Sequence, residues 1–119
     1  MPFTLRRQYQ IEAAHRLPAL PSDHKCSRLH GHSFRIELVV VGELDSRLGW
    51  VIDYGEIDRL FQPTFLMIDH HYLNEVPGLE NPTSEWLARW IFQRMKPILP
   101  GLKEVQVAET CTESCTYSE

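Results

Sequence analysis

The chain has 119 residues, 43% of them hydrophobic and 24% charged, the composition of one globular domain large enough for a core without disulfide staples. A net charge of −4 excludes a nucleic-acid binder acting through its overall field, and no apolar run approaches the ~18 residues of a membrane span. No secretory leader is visible and the three cysteines are an odd number, so free thiols in a reducing cytoplasm are expected.

Residues 3–14 read as a strand, with Phe3, Leu5, Tyr9 and Ile11 on alternating positions and His15 at its end. Residues 16–31 carry Pro18, Pro21, Ser22, Asp23 and Gly31 and read as a loop. A second strand spans 32–42, with Phe34, Ile36, Leu38 and Val40 on one face and Arg35 and Glu37 on the other. Glu43 to Gly49 reads as a hairpin connection into a short strand at Trp50–Ile52. Asp53 fits a helix N-cap with Glu56 three residues on. Ile57, Leu60, Phe61 and Phe65 follow at helical spacing, and Pro63 predicts a break or kink.

Residues 74–82 are turn-rich, and Asn81-Pro82-Thr83 opens a second helix. Either Asn81 caps it, with Pro82 at the first position, or Thr83 does. Leu87, Trp90, Ile91 and Arg94-Met95 form its stripe, and Pro97 or Pro100 ends it. Val105, Val107 and Glu109 alternate as a further strand, and residues 114–118 suit a last short one. This order predicts an α+β domain, an antiparallel sheet with two helices on one face. A sheet this small leaves edges that oligomerisation often covers.

His30-Gly31-His32 is the centre of the chemistry. Histidines at i and i+2 on an extended backbone point to the same side, about 6–7 Å apart at Cβ, and both rings can reach one ion. A third imidazole would give Zn²⁺ three protein ligands and an open position, the catalytic pattern. His15 can supply it, after an Ala13-Ala14 pair that permits close approach. Cys26 would instead close a structural site, and spacing leaves the two open.

Asp69-His70-His71 is the second cluster. A carboxylate beside an imidazole orients it and stabilises its charged form, so His70 or His71 can move protons. Equally, the two histidines can satisfy carbonyls at a helix end. Glu109 points inward with Val105 and Val107, so it requires a hydrogen-bonding or cationic partner. Lys25 and Arg28 flank Cys26, where cations lower a thiol pKa and attract anions unless they are merely solvated loop charges. Cys111 and Cys115 read as packed free thiols.

Together these residues resemble the 6-pyruvoyl-tetrahydropterin synthase/6-carboxy-tetrahydropterin synthase family. The resemblance runs along nearly the whole sequence: E-A-A-H-R-L at 12–17, C-S-R-L-H-G-H at 26–32, V-I-D-Y at 51–54, L-N at 73–74, P-T-S-E at 82–85 and E-T at 109–110. The stretch D-H-H-Y-L-N-E-V-P-G-L-E-N-P-T-S-E at 69–85 and the three-residue gap between Cys26 and H-G-H are similar to the bacterial, carboxy-forming branch. Ile11 departs from the pattern, an aromatic residue being usual there.

The resemblance implies Zn²⁺ held by His15, His30 and His32, with Cys26 as general base and Asp69 paired to His70 as a proton relay. It implies Glu109 as the anchor of the pterin ring; Thr83 and Ser84, at a helix start, are placed to add hydrogen bonds to it. Lys25, Arg28 and His24 are the nearest cations for a triphosphate. The fold implied is the tunnelling fold: four antiparallel strands and two helices, three subunits closing a β-barrel, and two rings stacked as a homohexamer with interfacial active sites. The reaction implied converts 7,8-dihydroneopterin triphosphate to 6-carboxy-5,6,7,8-tetrahydropterin, acetaldehyde and triphosphate, toward queuosine and related 7-deazaguanines. The competing readings are a pyruvoyl-forming enzyme that stops before C–C cleavage, and a zinc-stabilised binding module without catalysis. Neither nucleic acid nor membrane is an expected partner.

Overall fold

A computed structural model describes residues 1–119. Strand β1 (Phe3–His15) pairs antiparallel with β2 (His30–Gly42) along its whole length, from Phe3 opposite Gly42 to His15 opposite His30. Helix α1 (Tyr54–Ile68) and helix α2 (Ser84–Met95) follow, then β3 (Leu102–Ala108) and β4 (Ser114–Ser118). The sheet order is β1-β2-β3-β4, all antiparallel, with β1 and β4 at its edges.

One face of the sheet carries Ile11, Phe34, Ile36, Leu38, Val105 and Val107, and buries them against Ile57, Phe61 and Ile68 of α1 and Leu87, Ile91 and Phe92 of α2. The alternation in β1 has one charged member on this face. Arg7 bonds Asp58 of α1 through Nε at 2.9 Å, and the Tyr9 hydroxyl donates to the same carboxylate at 2.6 Å. The other face bears Gln8, Gln10, Glu12, Ser33, Arg35 and Gln106, with no helix over it.

Several expectations need correction. Trp50–Ile52 forms no strand. The Gly42 end of β2 is already paired with Phe3, so no free edge meets it, and the 43–52 segment folds into a turn. There Asp45 accepts the Arg47 and Leu48 N–H groups, Gly49 sits at φ +79°, and Val51 packs where a Cβ on Gly42 would be.

Pro63 does not break α1, which runs on to Ile68. Proline removes one N–H and crowds the carbonyl four residues back, but Pro63 and Arg59 are both on the exposed side, where water can take the freed carbonyl. Asp53 caps α1 through Gly55 N–H, whereas Glu56 pairs with Arg59 and does not return to the cap. Cys115 is half-buried but Cys111 is exposed, so only one of the two thiols is packed. Of the two cap alternatives for α2, Thr83 takes the role by accepting the Trp86 N–H at 3.1 Å.

Candidate metal centre and active site

His15 follows Ala13 in phase on the core face and is 1% exposed. The His15–His30 register brings the last residue of β1 against the first of β2, and His32 stands two residues along on the same face. The imidazole centroids lie 4.5 Å (His15–His30), 5.1 Å (His15–His32) and 4.9 Å (His30–His32) apart, over the ring of Phe34. One nitrogen from each ring converges, all within 4.8 Å of one another. Cys26 stands outside this group.

Two backbone carbonyls set the tautomers. Pro82 C=O and Arg28 C=O can only accept, so His15 Nδ1 donates to the first at 2.8 Å and His30 Nδ1 to the second at 2.7 Å. Both Nε2 atoms are then bare in the neutral rings, yet they face each other at 2.9 Å. Two lone pairs at that separation repel unless a proton or a metal ion lies between them. Burial pushes the His15 ring below the usual histidine range, favouring the neutral form that can ligate. Nitrogen donors whose other ring nitrogen is anchored to a carbonyl are the usual dress of a metal-ligating histidine, so the residues fit a metal ion.

Glu109 lies just past β3, pointing inward as its alternation requires. Its Oε1 accepts the Ser84 hydroxyl at 2.8 Å and its Oε2 is 3.8 Å from His32 Nε2. Alternation alone demanded a partner for this carboxylate without identifying Ser84. A cleft of about 390 Å³ opens here, lined by Leu17, Thr83, Ser84, Glu109 and Cys115. The turn that carries Cys26 borders it, because Leu17 N–H donates to Cys26 C=O at 2.9 Å. Lys25 and Arg28 make no ion pair, while His24 accepts the Cys26 N–H and so is spent on the turn itself.

Asp69 and His70 sit along the outer edge of β1. Asp69 Oδ2 is 3.0 Å from His70 Nδ1, and its Oδ1 accepts the Glu12 N–H at 3.0 Å. Burial pushes the Asp69 carboxyl up, but the Glu12 N–H and the His70 ring together outweigh it and hold the group below the ordinary range. His71 takes the carbonyl-satisfying role, donating from Nδ1 to Asp69 C=O at 2.8 Å. His70 is held at φ 58°, a left-handed conformation rare outside glycine. It lines a cleft of about 540 Å³ with Glu12, Gly31, His32 and Ser33. A side chain at Gly31 would meet only Ala13 C=O at 3.5 Å, so this cleft is not closed by packing. Cys26 and His70 make no hydrogen bond to each other within one subunit.

The family model for 6-pyruvoyl tetrahydropterin synthase matches residues 4–119. A 6-carboxy-5,6,7,8-tetrahydropterin synthase of Synechocystis is 41% identical over 117 residues, covering 93% of this chain and 89% of that protein. A dihydroneopterin monophosphate aldolase of Pyrococcus furiosus is 38% identical over 73 residues, 61% of this chain and 60% of that one. The 6-pyruvoyl tetrahydropterin synthase structure of Caenorhabditis elegans superposes with a TM-score of 0.92 at 26% identity, over 100% of this chain and 96% of its own.

Proposed function

The chain belongs to the 6-pyruvoyl tetrahydropterin synthase family, and from that premise we propose a zinc-dependent lyase that converts 7,8-dihydroneopterin triphosphate and water to 6-carboxy-5,6,7,8-tetrahydropterin, acetaldehyde and triphosphate. The observation that carries the reading is the pair of bare Nε2 atoms of His15 and His30 facing each other beside Glu109, with His32 between the two groups. Three imidazole nitrogens with a position to spare suit Zn²⁺. When bound, zinc supplies Lewis acidity toward a hydroxyl on the substrate's propyl substituent.

The remaining chemistry belongs to the protein's own groups. Glu109 accepts the two adjacent N–H donors of the pterin edge, a bidentate match for a carboxylate. Ser84 fixes that carboxylate, and Thr83, whose hydroxyl caps α2, shapes the cleft wall. Cys26 as thiolate takes the proton from the substituent carbon attached to the ring. The electrons of that C–H bond flow into the neighbouring C=N, and His70, steadied by Asp69, returns a proton to the ring. The ring is reduced as its own substituent is oxidised, so the redox balance is internal. Triphosphate leaves and a C–C bond of the substituent breaks in the later steps, with Lys25 and Arg28 facing the phosphates.

Asp69 and His70 sit on the outer edge of β1 and make no bond to Cys26 of the same subunit, which supports an arrangement in which one subunit's relay serves a neighbour's Cys26. The free edges of β4 and of β1 ahead of Glu12 would pair between copies, three closing a barrel and two rings stacking as a homohexamer. No helix is long and apolar enough to cross a membrane, and a cytoplasmic enzyme feeding 7-deazaguanine synthesis fits this reading. Incubating the zinc-loaded protein with 7,8-dihydroneopterin triphosphate, with mass analysis and acetaldehyde trapping, tests it. A pyruvoyl product without acetaldehyde would instead assign a pyruvoyl-forming synthase. No turnover, together with unfolding on chelation, would leave a zinc-stabilised module.

A further inference from the structure

β1 is an edge strand, yet from Glu12 to Arg16 its outer side is covered by the segment 69–74. His70 N–H donates to Glu12 C=O at 2.6 Å, Ala14 N–H to His71 C=O at 3.1 Å, and Ala14 and Tyr72 form a parallel bridge. The next amide along this edge is that of Arg16. Backbone pairing stops there because Leu73–Glu75 turns into a 3-10 helix.

The Asn74 carboxamide takes over. Its Oδ1 accepts Arg16 N–H at 2.9 Å and its Nδ2 donates to Arg16 C=O at 2.7 Å. One amide group thus satisfies both main-chain groups of the residue after His15. A third bond, from Nδ2 to Glu80 C=O at 3.3 Å, reaches the segment that ends in Pro82, whose carbonyl orients the His15 ring. On the other side, Arg16 Nε donates to Ser27 C=O at 3.1 Å and Leu17 N–H to Cys26 C=O at 2.9 Å.

We infer that Asn74 is a positioning residue for both the metal centre and the Cys26 turn. It clamps the end of β1 between the 80–82 segment and the 25–28 turn, and so sets the His15 ring against His30 and His32 and sets Cys26 against His15. Asparagine suits the task because a carboxamide has the donor and acceptor of a peptide group. Aspartate keeps the acceptor but turns an anion toward two carbonyls. Alanine leaves both Arg16 groups unpaired. The inference rests on the three-histidine metal reading.

The test uses the full-length protein and its Asn74→Ala and Asn74→Asp variants, freed of metal and titrated with Co²⁺, read by visible d–d absorption, with Zn²⁺ in competition. Loss of a group that orients a ligand typically costs 10–100-fold in metal affinity, and about that loss is expected in both variants, with Asp no better than Ala. Amide exchange at Leu17 should quicken in parallel, because its bond to Cys26 C=O has lost its brace. A merely architectural bond would lower the urea midpoint and leave both readouts alone. Wild-type metal affinity and unchanged Leu17 exchange in the folded variants overturn the inference. Should Asn74→Ala not fold, Asn74→Asp, which keeps the Arg16 N–H bond, carries the test. A wild-type protein that binds no Co²⁺ overturns the metal reading, and this inference with it, which differs visibly from a wild type that binds and variants that match it.

Discussion

His15→Ala separates what the first imidazole does for the fold from what it does for the metal. In the metal-free protein the substitution removes a ring that is 1% exposed and leaves the Pro82 carbonyl without its donor. An unsatisfied buried carbonyl and a partly collapsed cavity together cost about 3 kcal/mol. In the metal-loaded protein a second loss is added. A ligand that binds only the folded state stabilises it by about 2.7 kcal/mol at a hundredfold excess over its Kd, which for a domain of this size raises the thermal midpoint by about 10 °C. With two imidazoles remaining, that increment should vanish. The assay is a set of melting curves for wild type and variant, each with chelator and with saturating Zn²⁺. The expected result is a wild type that gains about 10 °C on adding zinc and a variant that starts lower and gains nothing. A variant that gains as much as the wild type would refute the ligand set. His30→Ala, whose ring is less buried, should lose the zinc increment at a smaller cost to the apo fold.

Cys26→Ala should retain full zinc occupancy by metal analysis and lose turnover by about 10²–10⁴-fold, the usual contribution of a proton-transferring group; a metal-free variant would make Cys26 a ligand. Glu109→Gln should weaken binding of a pterin product by about 2–3 kcal/mol, read by calorimetry as roughly 30–150-fold in Kd, because the amide offers one acceptor where the pterin edge needs two. Unchanged affinity would remove its anchoring role. The pH dependence of stability should show two signs. Burial, then the Asp58 hydrogen bond, raises the Tyr9 phenol above its ordinary value, so its contribution is complete below about pH 10 and falls as the pH climbs from there. The Tyr9 and Arg7 hydrogen bonds lower the Asp58 carboxyl, so its contribution is present above about pH 4 and lost as acid protonates it in the fold. Urea midpoints of wild type and Tyr9→Phe across the alkaline range check the first, and a Tyr9→Phe curve as steep as the wild type's would sink it.

The elements were legible where the signal is local. Alternation in 32–42, the Asp53 and Thr83 caps and the i,i+2 histidine pair depend on neighbours in sequence, and each has its counterpart in the fold. What stayed closed depends on distant partners. His15 meets His30 because thirteen residues of β1 register with thirteen of β2, a sum over the hairpin that no motif displays. Spacing therefore could not choose between His15 and Cys26. The Ser84–Glu109 bond, and the use of Asp69 and Asn74 as substitutes for missing backbone partners along β1, join residues 25 to 58 positions apart. Pro63 misled for a physical reason: the penalty it carries depends on whether the freed carbonyl faces water, which needs the orientation of the helix. Trp50–Ile52 has strand composition but no edge to join.

The three imidazoles proposed as ligands stand on two strands paired with each other along their whole length, while Cys26 rides a three-residue 3-10 turn and His70 follows the end of a helix. Anchorage and reactivity are therefore inherited through different parts of the polypeptide. Drift in the two connecting segments can re-aim the proposed acid and base, or exchange them, while the three-histidine seat is left undisturbed. A scaffold divided in this way can acquire a new reaction by editing two short stretches of sequence, without refolding and without learning to hold metal again.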